Sequence, residues 1–255
     1  AGFQSYMYWP YKGPDGRRYK SFQSGNSIVG KRHRGKGVFT KLLRALNQGD
    51  LNLDYDFIVG FPVEQSFGAF MKCGWENPFN LQWFVTPNHP ILSSIFGSKI
   101  RTNQGWAPLP NGFSNSWTSA LEMEFSQEFD DYRSKLRPDQ HLRLFKEVKG
   151  KTWLVEAKIQ QRSRFISETI IGKITCTEGA SVPRKSTMKS LTNEVARATR
   201  TTFISFATPP SNQDLPNRYF AIKKELRFIF FPGSTKYEEL QAFEMNIGRA
   251  DVDTW

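Results

Sequence analysis

The sequence predicts an α/β protein with a mixed sheet, and three observations carry that expectation. Over the first ninety residues the segments run strand, strand, helix, strand, helix, strand, an order that requires at least one crossover connection. A basic, glycine-rich turn at 30–37 joins the second strand to the first helix. Beyond residue 119 the order recurs in outline: period-two segments, a helical face, then short apolar runs.

Residues 3–11 are aromatic-rich and read as a strand. Gly13-Pro14-Asp15-Gly16 is a turn signal, and 18–29 reads as a second extended segment, so the first thirty residues predict a β-hairpin. After the glycine turn, Phe39, Leu42, Leu43 and Leu46 fall on one helical face, which Asn47-Gln48-Gly49-Asp50 ends. The short apolar run 55–61 does not alternate, as expected of a strand covered on both faces. Residues 66–73 read as a short helix with Phe67, Phe70 and Met71 on one side; Gly74 stops it, and 81–85 is a strand.

Residues 87–118 are rich in Pro, Asn, Ser and Gly and read as a linker or long functional loop. In the remainder, Trp153, Val155, Ala157 and Ile159 alternate, Ile170, Ile171 and Ile174 suggest a partner strand, and Met188, Leu191 and Val195 suit a helix. Further strands are expected at 203–206, 228–231 and 244–247, with Pro209 and Pro210 breaking the chain between the first two. The predicted organisation is therefore a first unit at 1–86, a connection at 87–118 and a second unit at 119–255.

Composition bounds the function. A chain of 255 residues with 38% hydrophobic content and 22 Phe has ample core material, which excludes whole-chain disorder. It contains no apolar run of the roughly 18 residues that a spanning helix needs, and no secretory signal is visible. Two cysteines, Cys73 and Cys176, fit a reduced, cytoplasmic protein. His33, His89 and His141 share no ligand spacing, so no metal is expected. The net charge of +11 favours anionic partners such as polyphosphate cofactors, nucleic acids or acidic membranes, without choosing among them.

The densest basic run lies in the glycine turn, Gly30-Lys31-Arg32-His33-Arg34-Gly35-Lys36-Gly37, followed by Val38 and Phe39. Glycines let backbone approach a ligand closely, and amides at the following helix N-terminus point at one place with the helix dipole behind them. A pyrophosphate is the natural ligand. Two motifs compete. Gly30, Gly35 and Lys36 fit the nucleotide P-loop, but Gly37 stands where a metal-binding Ser or Thr belongs; that reading predicts Mg²⁺-dependent ATP binding. The second motif is R/Q-x-x-G-x-G/A, here Arg32 to Gly37.

This second motif, in its strand–turn–helix setting, resembles the pyrophosphate-binding turn of the GNAT superfamily of N-acetyltransferases. Gly60-Phe61-Pro62-Val63-Glu64-Gln65-Ser66 and Phe70-Met71-Lys72-Cys73-Gly74-Trp75 resemble that superfamily's next strand and helix, so the likeness covers about residues 2–86. It implies an acyl-CoA N-acyltransferase-like fold, with two GNAT-like halves and a second half lacking the cofactor motif. Acetyl-CoA is then expected in a V-shaped opening between two splayed strands ending near Val29 and Phe61. Ser27, Ile28 and Val29 would hold the pantetheine arm. Arg32, Arg34, Gly35, Lys36, Gly37, Val38 and Phe39 would hold the pyrophosphate. The implied chemistry is direct attack of an amine on the thioester, with a small molecule or amino sugar as acceptor.

The pattern departs from the superfamily at two positions. Val63 stands where an Asn is usual, and Phe70 where a proton-donating Tyr is usual. Glu64 and Ser66 are the nearest polar residues for proton handling, with helix-start and capping roles as their structural alternatives. The chain opens almost inside the first strand, so elements before Ala1 are expected, with weak CoA binding and little turnover for these 255 residues alone. The alternative function is a non-catalytic module of the same fold that binds a nucleic acid or another polyanion.

Overall fold

Short ladders organise the N-terminal region. Strands β1 (Gly2–Tyr8), β2 (Tyr11–Lys12), β3 (Arg18–Tyr19) and β4 (Ser21–Val29) follow in order, with β1 antiparallel to β4 and β2 antiparallel to β3. The turn between β2 and β3 is closed by the Gly13 amide donating to the Arg17 carbonyl at 2.9 Å, and Gly16 takes φ 81°. The single extended segment expected over 18–29 is broken at Lys20, whose amide donates to Asp56 Oδ2 at 2.7 Å rather than to a neighbouring strand. The computed structural model describes residues 1–47, 54–88, 120–124, 126–136, 141–176, 183–210, 215 and 219–251. The proposed helix stop at 48–50 and nearly all of the 87–118 connection lie outside these.

The chain continues through α1 (Val38–Asn47), β5 (Phe57–Gly60), α2 (Glu64–Lys72), β6 (Glu76–Pro87), β7 (Ala120–Met123), α3 (Gln127–Leu136), β8 (His141–Val148), β9 (Lys151–Gln161), β10 (Ser167–Cys176), α4 (Lys185–Thr199), β11 (Phe203–Thr208), β12 (Phe220–Pro232), α5 (Tyr237–Leu240) and β13 (Glu244–Asn246). A nine-stranded sheet has the order β1-β4-β5-β12-β6-β11-β10-β9-β8, and a small sheet has the order β13-β7-β2-β3.

The large sheet contains the same arrangement twice. β4 reaches β5 through α1 and lies parallel to it for four pairs, Ser21↔Phe57 to Ser24↔Gly60. β10 reaches β11 through α4 and lies parallel to it for four pairs, Glu168↔Phe203 to Ile171↔Phe206. Each first strand carries an antiparallel partner on its other side, β1 and β9. The strands that follow are shared between the two arrangements. β6 comes after β5 in sequence yet pairs with β11, and β12 comes after β11 yet pairs with β5; β6 and β12 also pair with each other.

Burial explains the layers. Leu43 and Leu46 of α1, Phe70 of α2, and Ile58, Ile229 and Phe231 of the sheet form one core. Met188, Leu191 and Val195 of α4 pack with Phe84, Ile204 and Phe206 in a second. The other face of the sheet carries Phe57, Val59, Leu81, Phe228 and Phe230 against Tyr11, Tyr19, Leu121, Met123 and Met245 of the small sheet. Two buried ionic groups tie these layers together. Arg143 on β8 is held by Asp130 of α3 and Glu156 of β9, and Lys173 on β10 lies 3.0 Å from Asp251 with both side chains fully buried.

Candidate functional site

The parallel ladder of β4 and β5 stops at Ser24↔Gly60, but β4 runs on through residues 25–29 with β1 alone beside it. β5 itself ends at Gly60, where its ladder with β12 also stops, so β4 has no described partner on that side beyond Ser24. The β1–β4 register also shifts between Phe3↔Ile28 and Ser5↔Gly25, and Asn26 takes φ 45° within that shift; a bulge of this kind bends and twists its strand. Gly60 closes the base of the resulting opening: a Cβ there would meet Ile229 Cγ1 at 3.1 Å. Beside it Ile28 near the end of β4 is 63% exposed, and Val63 at the start of α2 is 65% exposed.

At the end of β4 the chain enters a single 3₁₀ turn, Lys31–His33, and then α1. The Gly30 amide donates to the Ala1 carbonyl at 3.0 Å, and the Arg34 Nε donates to the Val29 carbonyl at 3.0 Å, so the turn is pinned to both strands at one end of the β1–β4 ladder. Gly35 and Gly37 adopt φ 73° and 71°, the left-handed region that disfavours a side chain. Nothing lies within 4 Å of where a Cβ would project from either. Among the described residues, the amides of Gly35, Lys36, Gly37, Val38, Phe39 and Thr40 donate to no backbone carbonyl; the Lys41 amide is the first to do so, to Gly37 at 3.0 Å. For Val38 to Thr40 this follows from helix geometry. All of residues 31–37 are exposed, and Arg32 and Lys36 form no ion pair with a described residue.

This geometry has the features of an anion cradle: several N–H groups without a described acceptor, a helix dipole, nearby cations and room. It brings Arg32, Gly35, Lys36, Gly37, Val38 and Phe39 together at one helix start and places Ser27, Ile28 and Val29 on the strand leading to it. Arg34 differs from its neighbours in that its Nε is taken by Val29. The P-loop reading loses ground here. The position it needs for a metal-binding hydroxyl is a left-handed glycine outside the helix. Among the described residues no group of three or more His, Cys, Asp or Glu side chains converges to hold a metal.

Glu64 begins α2, beside the end of β5, and its Oε2 lies 2.6 Å from Arg227 Nη2 on β12. The Arg227 guanidinium also lies over the Phe67 ring, 4.1 Å from its centroid. Ser66 Oγ donates to the Val63 carbonyl at 3.1 Å, a bond within the first turn of α2. Phe70 is buried in edge-on contact with Phe39 and Trp75, at centroid distances of 5.4 and 4.9 Å. It serves the core that seats α1 and α2. An open groove of about 730 Å³ adjoins Val63 and Glu64 and continues along Gln82 of β6 and residues 221–223 and 225–227 of β12. Nothing in the sequence pattern pointed to this groove, because its walls come from segments about 160 residues apart.

The second pair of parallel strands parts in the same way. The β9–β10 register shifts between Ile171 and Lys173, immediately past the four-pair ladder with β11. Here the opening is occupied by the chain itself. Asn246 Nδ2 donates to the Ile174 carbonyl at 3.2 Å, Asp251 pairs with Lys173, and Gly248 is so close that a Cβ on it would lie 2.3 Å from the Gly172 carbonyl oxygen. What remains is a cavity of only about 60 Å³.

The sequence matches no family model and no curated protein. Solved structures with the same fold do exist. A GCN5-related N-acetyltransferase from Anabaena variabilis superposes with a TM-score of 0.57 at 13% identity, covering 89% of this chain and 58% of the other. The corresponding enzyme from Kribbella flavida gives 0.55 at 10%, covering 90% and 56%. Saccharomyces cerevisiae N-myristoyltransferase with bound myristoyl-CoA and inhibitors gives 0.53 at 12%, covering 98% and 70%. The chain thus spans less than two thirds of the length of the first two. At these identities the likeness establishes the fold: a mixed α/β sheet of the acyl-CoA N-acyltransferase type.

Proposed function

From an acyl-CoA N-acyltransferase fold whose parallel strands part beside a basic glycine turn, we propose that this chain binds acetyl-CoA and transfers its acetyl group to the amine of a small molecule. The observation that carries the reading is the run of six backbone amides from Gly35 to Thr40 that donate to no described backbone carbonyl, at the start of α1, with residues 31–37 exposed and Arg32 and Lys36 among them. A diphosphate placed there would accept from several amides at once. Such charge-assisted bonds are stronger than neutral ones. The exposed edge of β4 at residues 26–29 would receive an amide-containing arm in extended conformation.

Acetyl-CoA would supply an activated thioester, attacked directly by the acceptor nitrogen with release of the CoA thiol. The chain's own contribution is then mainly positioning. β4 and the turn hold the donor, Gly60 and Ile229 close the base of the opening, and the groove beside Glu64 receives the acceptor. Glu64, at the start of α2, would hold the incoming ammonium and take up the proton it must lose before its nitrogen can attack, with Arg227 fixing the carboxylate's orientation. Ser66, bonded to Val63, supports the start of α2. The mixed acidic and basic lining of the groove suits a polar acceptor better than a long acyl chain.

The test is calorimetric titration of the chain with acetyl-CoA and with ATP plus Mg²⁺. Binding of acetyl-CoA that falls at least about tenfold in Arg32→Ala and is lost in Gly35→Glu supports the reading. Undiminished binding in both variants removes the turn from the site. Metal-dependent ATP binding in place of acetyl-CoA binding would favour the phosphotransferase alternative.

A further inference from the structure

We propose that the acceptor is an amine that also carries a carboxylate, and that Lys223 is the residue that selects it. This deepens the acetyl-transfer reading and rests on it for the identity of the reaction, though not for binding in the groove.

The argument begins with the register of β12. Ile222 pairs with Trp83 and Glu225 with the next residue of β6, Gln82. Lys223 and Lys224 are therefore extra residues with no partner opposite, and a bulge of this kind re-aims the side chains it carries. The two lysines have different fates. Lys224 Nζ lies 4.2 Å from the centroid of Trp83, a ring that belongs to the core facing the small sheet. Lys223 lines the groove with Glu64, Glu225 and Arg227.

Within that groove the other charges already have protein partners. Glu64 pairs with Arg227 at 2.6 Å, and Glu225 Oε2 accepts from Asn80 Nδ2 at 2.6 Å. Lys223 is exposed and forms no ion pair with any described residue. The Arg227 Nη1 atom, buried in the same wall, has no acceptor. The groove thus presents Glu64 at the end next to the parted strands and, farther along, the Lys223 ammonium without an ion-pair partner among the described residues, two residues from Glu225, whose Oε2 is taken by Asn80. β12 runs antiparallel to β5 and passes Gly60 at Ile229, so Lys223 lies six residues beyond the end of β5. At about 3.3 Å per residue, less the slack of the bulge, that is on the order of 15 Å. A ligand with an amine at the Glu64 end and a carboxylate toward Lys223 satisfies both, the flexible lysine stem covering the remaining distance. A simple alkylamine or a diamine would leave Lys223 unmatched or repelled.

The experiment compares two probes that differ in one group, L-lysine and its decarboxylated counterpart 1,5-diaminopentane. Each is titrated into the full chain by calorimetry without CoA. Where acetyl-CoA binds, transfer to each probe is measured as well. We expect L-lysine to bind at least about fivefold more tightly. That preference should disappear in Lys223→Ala, persist in Lys223→Arg, and weaken with added salt as an exposed ion pair does. Acetyl-CoA affinity, read on the same variants, scores the glycine turn separately. If the turn fails to bind acetyl-CoA but the lysine preference depends on Lys223, the donor assignment falls and the groove assignment stands. Equal or inverted preference, no saturable binding of either probe, or a preference unchanged in Lys223→Ala overturns the proposal.

Discussion

At the scale of single residues, the turn glycines are the most informative. Gly35 and Gly37 are glycine for backbone reasons, not crowding, since each has positive φ and open space around it. Replacing either with Ala should cost about 1–2 kcal/mol from left-handed strain, visible as a lower midpoint in urea with unchanged slope. The loss of ligand affinity should exceed that stability loss, because a reshaped turn misdirects the amides. Asp56 gives a prediction of a different kind. Burial alone would raise its carboxyl pKa, but bonds from the Ser234 hydroxyl and the Lys20 amide, together with the Arg17 guanidinium, hold it below the ordinary carboxylate range. A depressed folded value means stability that is full above the ordinary range and is lost as pH falls through the depressed one. Asp56→Asn should therefore melt below wild type at pH 7, by about 1–2 kcal/mol, with the gap closing as the pH is lowered toward 2. A gap that stays constant with pH would show that the charge contributes nothing.

At the scale of elements, two bulges do the positioning. The one at Asn26 lies where β4 runs on past the end of β5, and the one at Lys223 and Lys224 sends Lys224 onto Trp83 and Lys223 to the groove. Asn26→Gly should be tolerated, since glycine accepts φ 45° without penalty. Asn26→Val, β-branched and strained there, should cost about 1–3 kcal/mol and weaken acetyl-CoA binding by narrowing the opening. Thermal melts paired with titrations separate the two effects. Helix α1 depends on its apolar face, as its sequence periodicity implied. Leu43, fully buried against Ile58 and Ile229, should cost about 2–5 kcal/mol when cut to Ala. The bulges left no mark in the sequence, because an extra residue in a strand is defined only by what lies opposite it.

At the scale of the whole molecule, the exchange of β6 and β12 joins the two arrangements into one sheet. A fragment ending at residue 86 would lack β12, leaving Phe57, Ile58 and Val59 of β5 without their neighbour on that side. Such a fragment should not unfold cooperatively, whereas the full chain should melt in one transition by circular dichroism. Two well-separated transitions in the full chain would contradict this. The buried Lys173–Asp251 pair fastens the segment that fills the second opening. Lys173→Met leaves a buried carboxylate without its ammonium partner, and should lower stability by about 3–5 kcal/mol, far more than an equal change at an exposed lysine such as Lys41.

The sequence by itself determined the local features. It fixed the glycine turn between a strand and an amphipathic helix, the faces of α1 and α4, and the alternation of β9, because each depends on residues within one or two turns of one another. From these the α/β class and the basic glycine turn at the helix start could be read directly. Only the tertiary structure decided the rest. The strand exchange, the small sheet assembled from pieces two to four residues long, the filling of the second opening and the groove beside Glu64 all depend on pairings across most of the chain. Such pairings are set by which apolar surfaces can be buried together, and no window of local sequence carries that information.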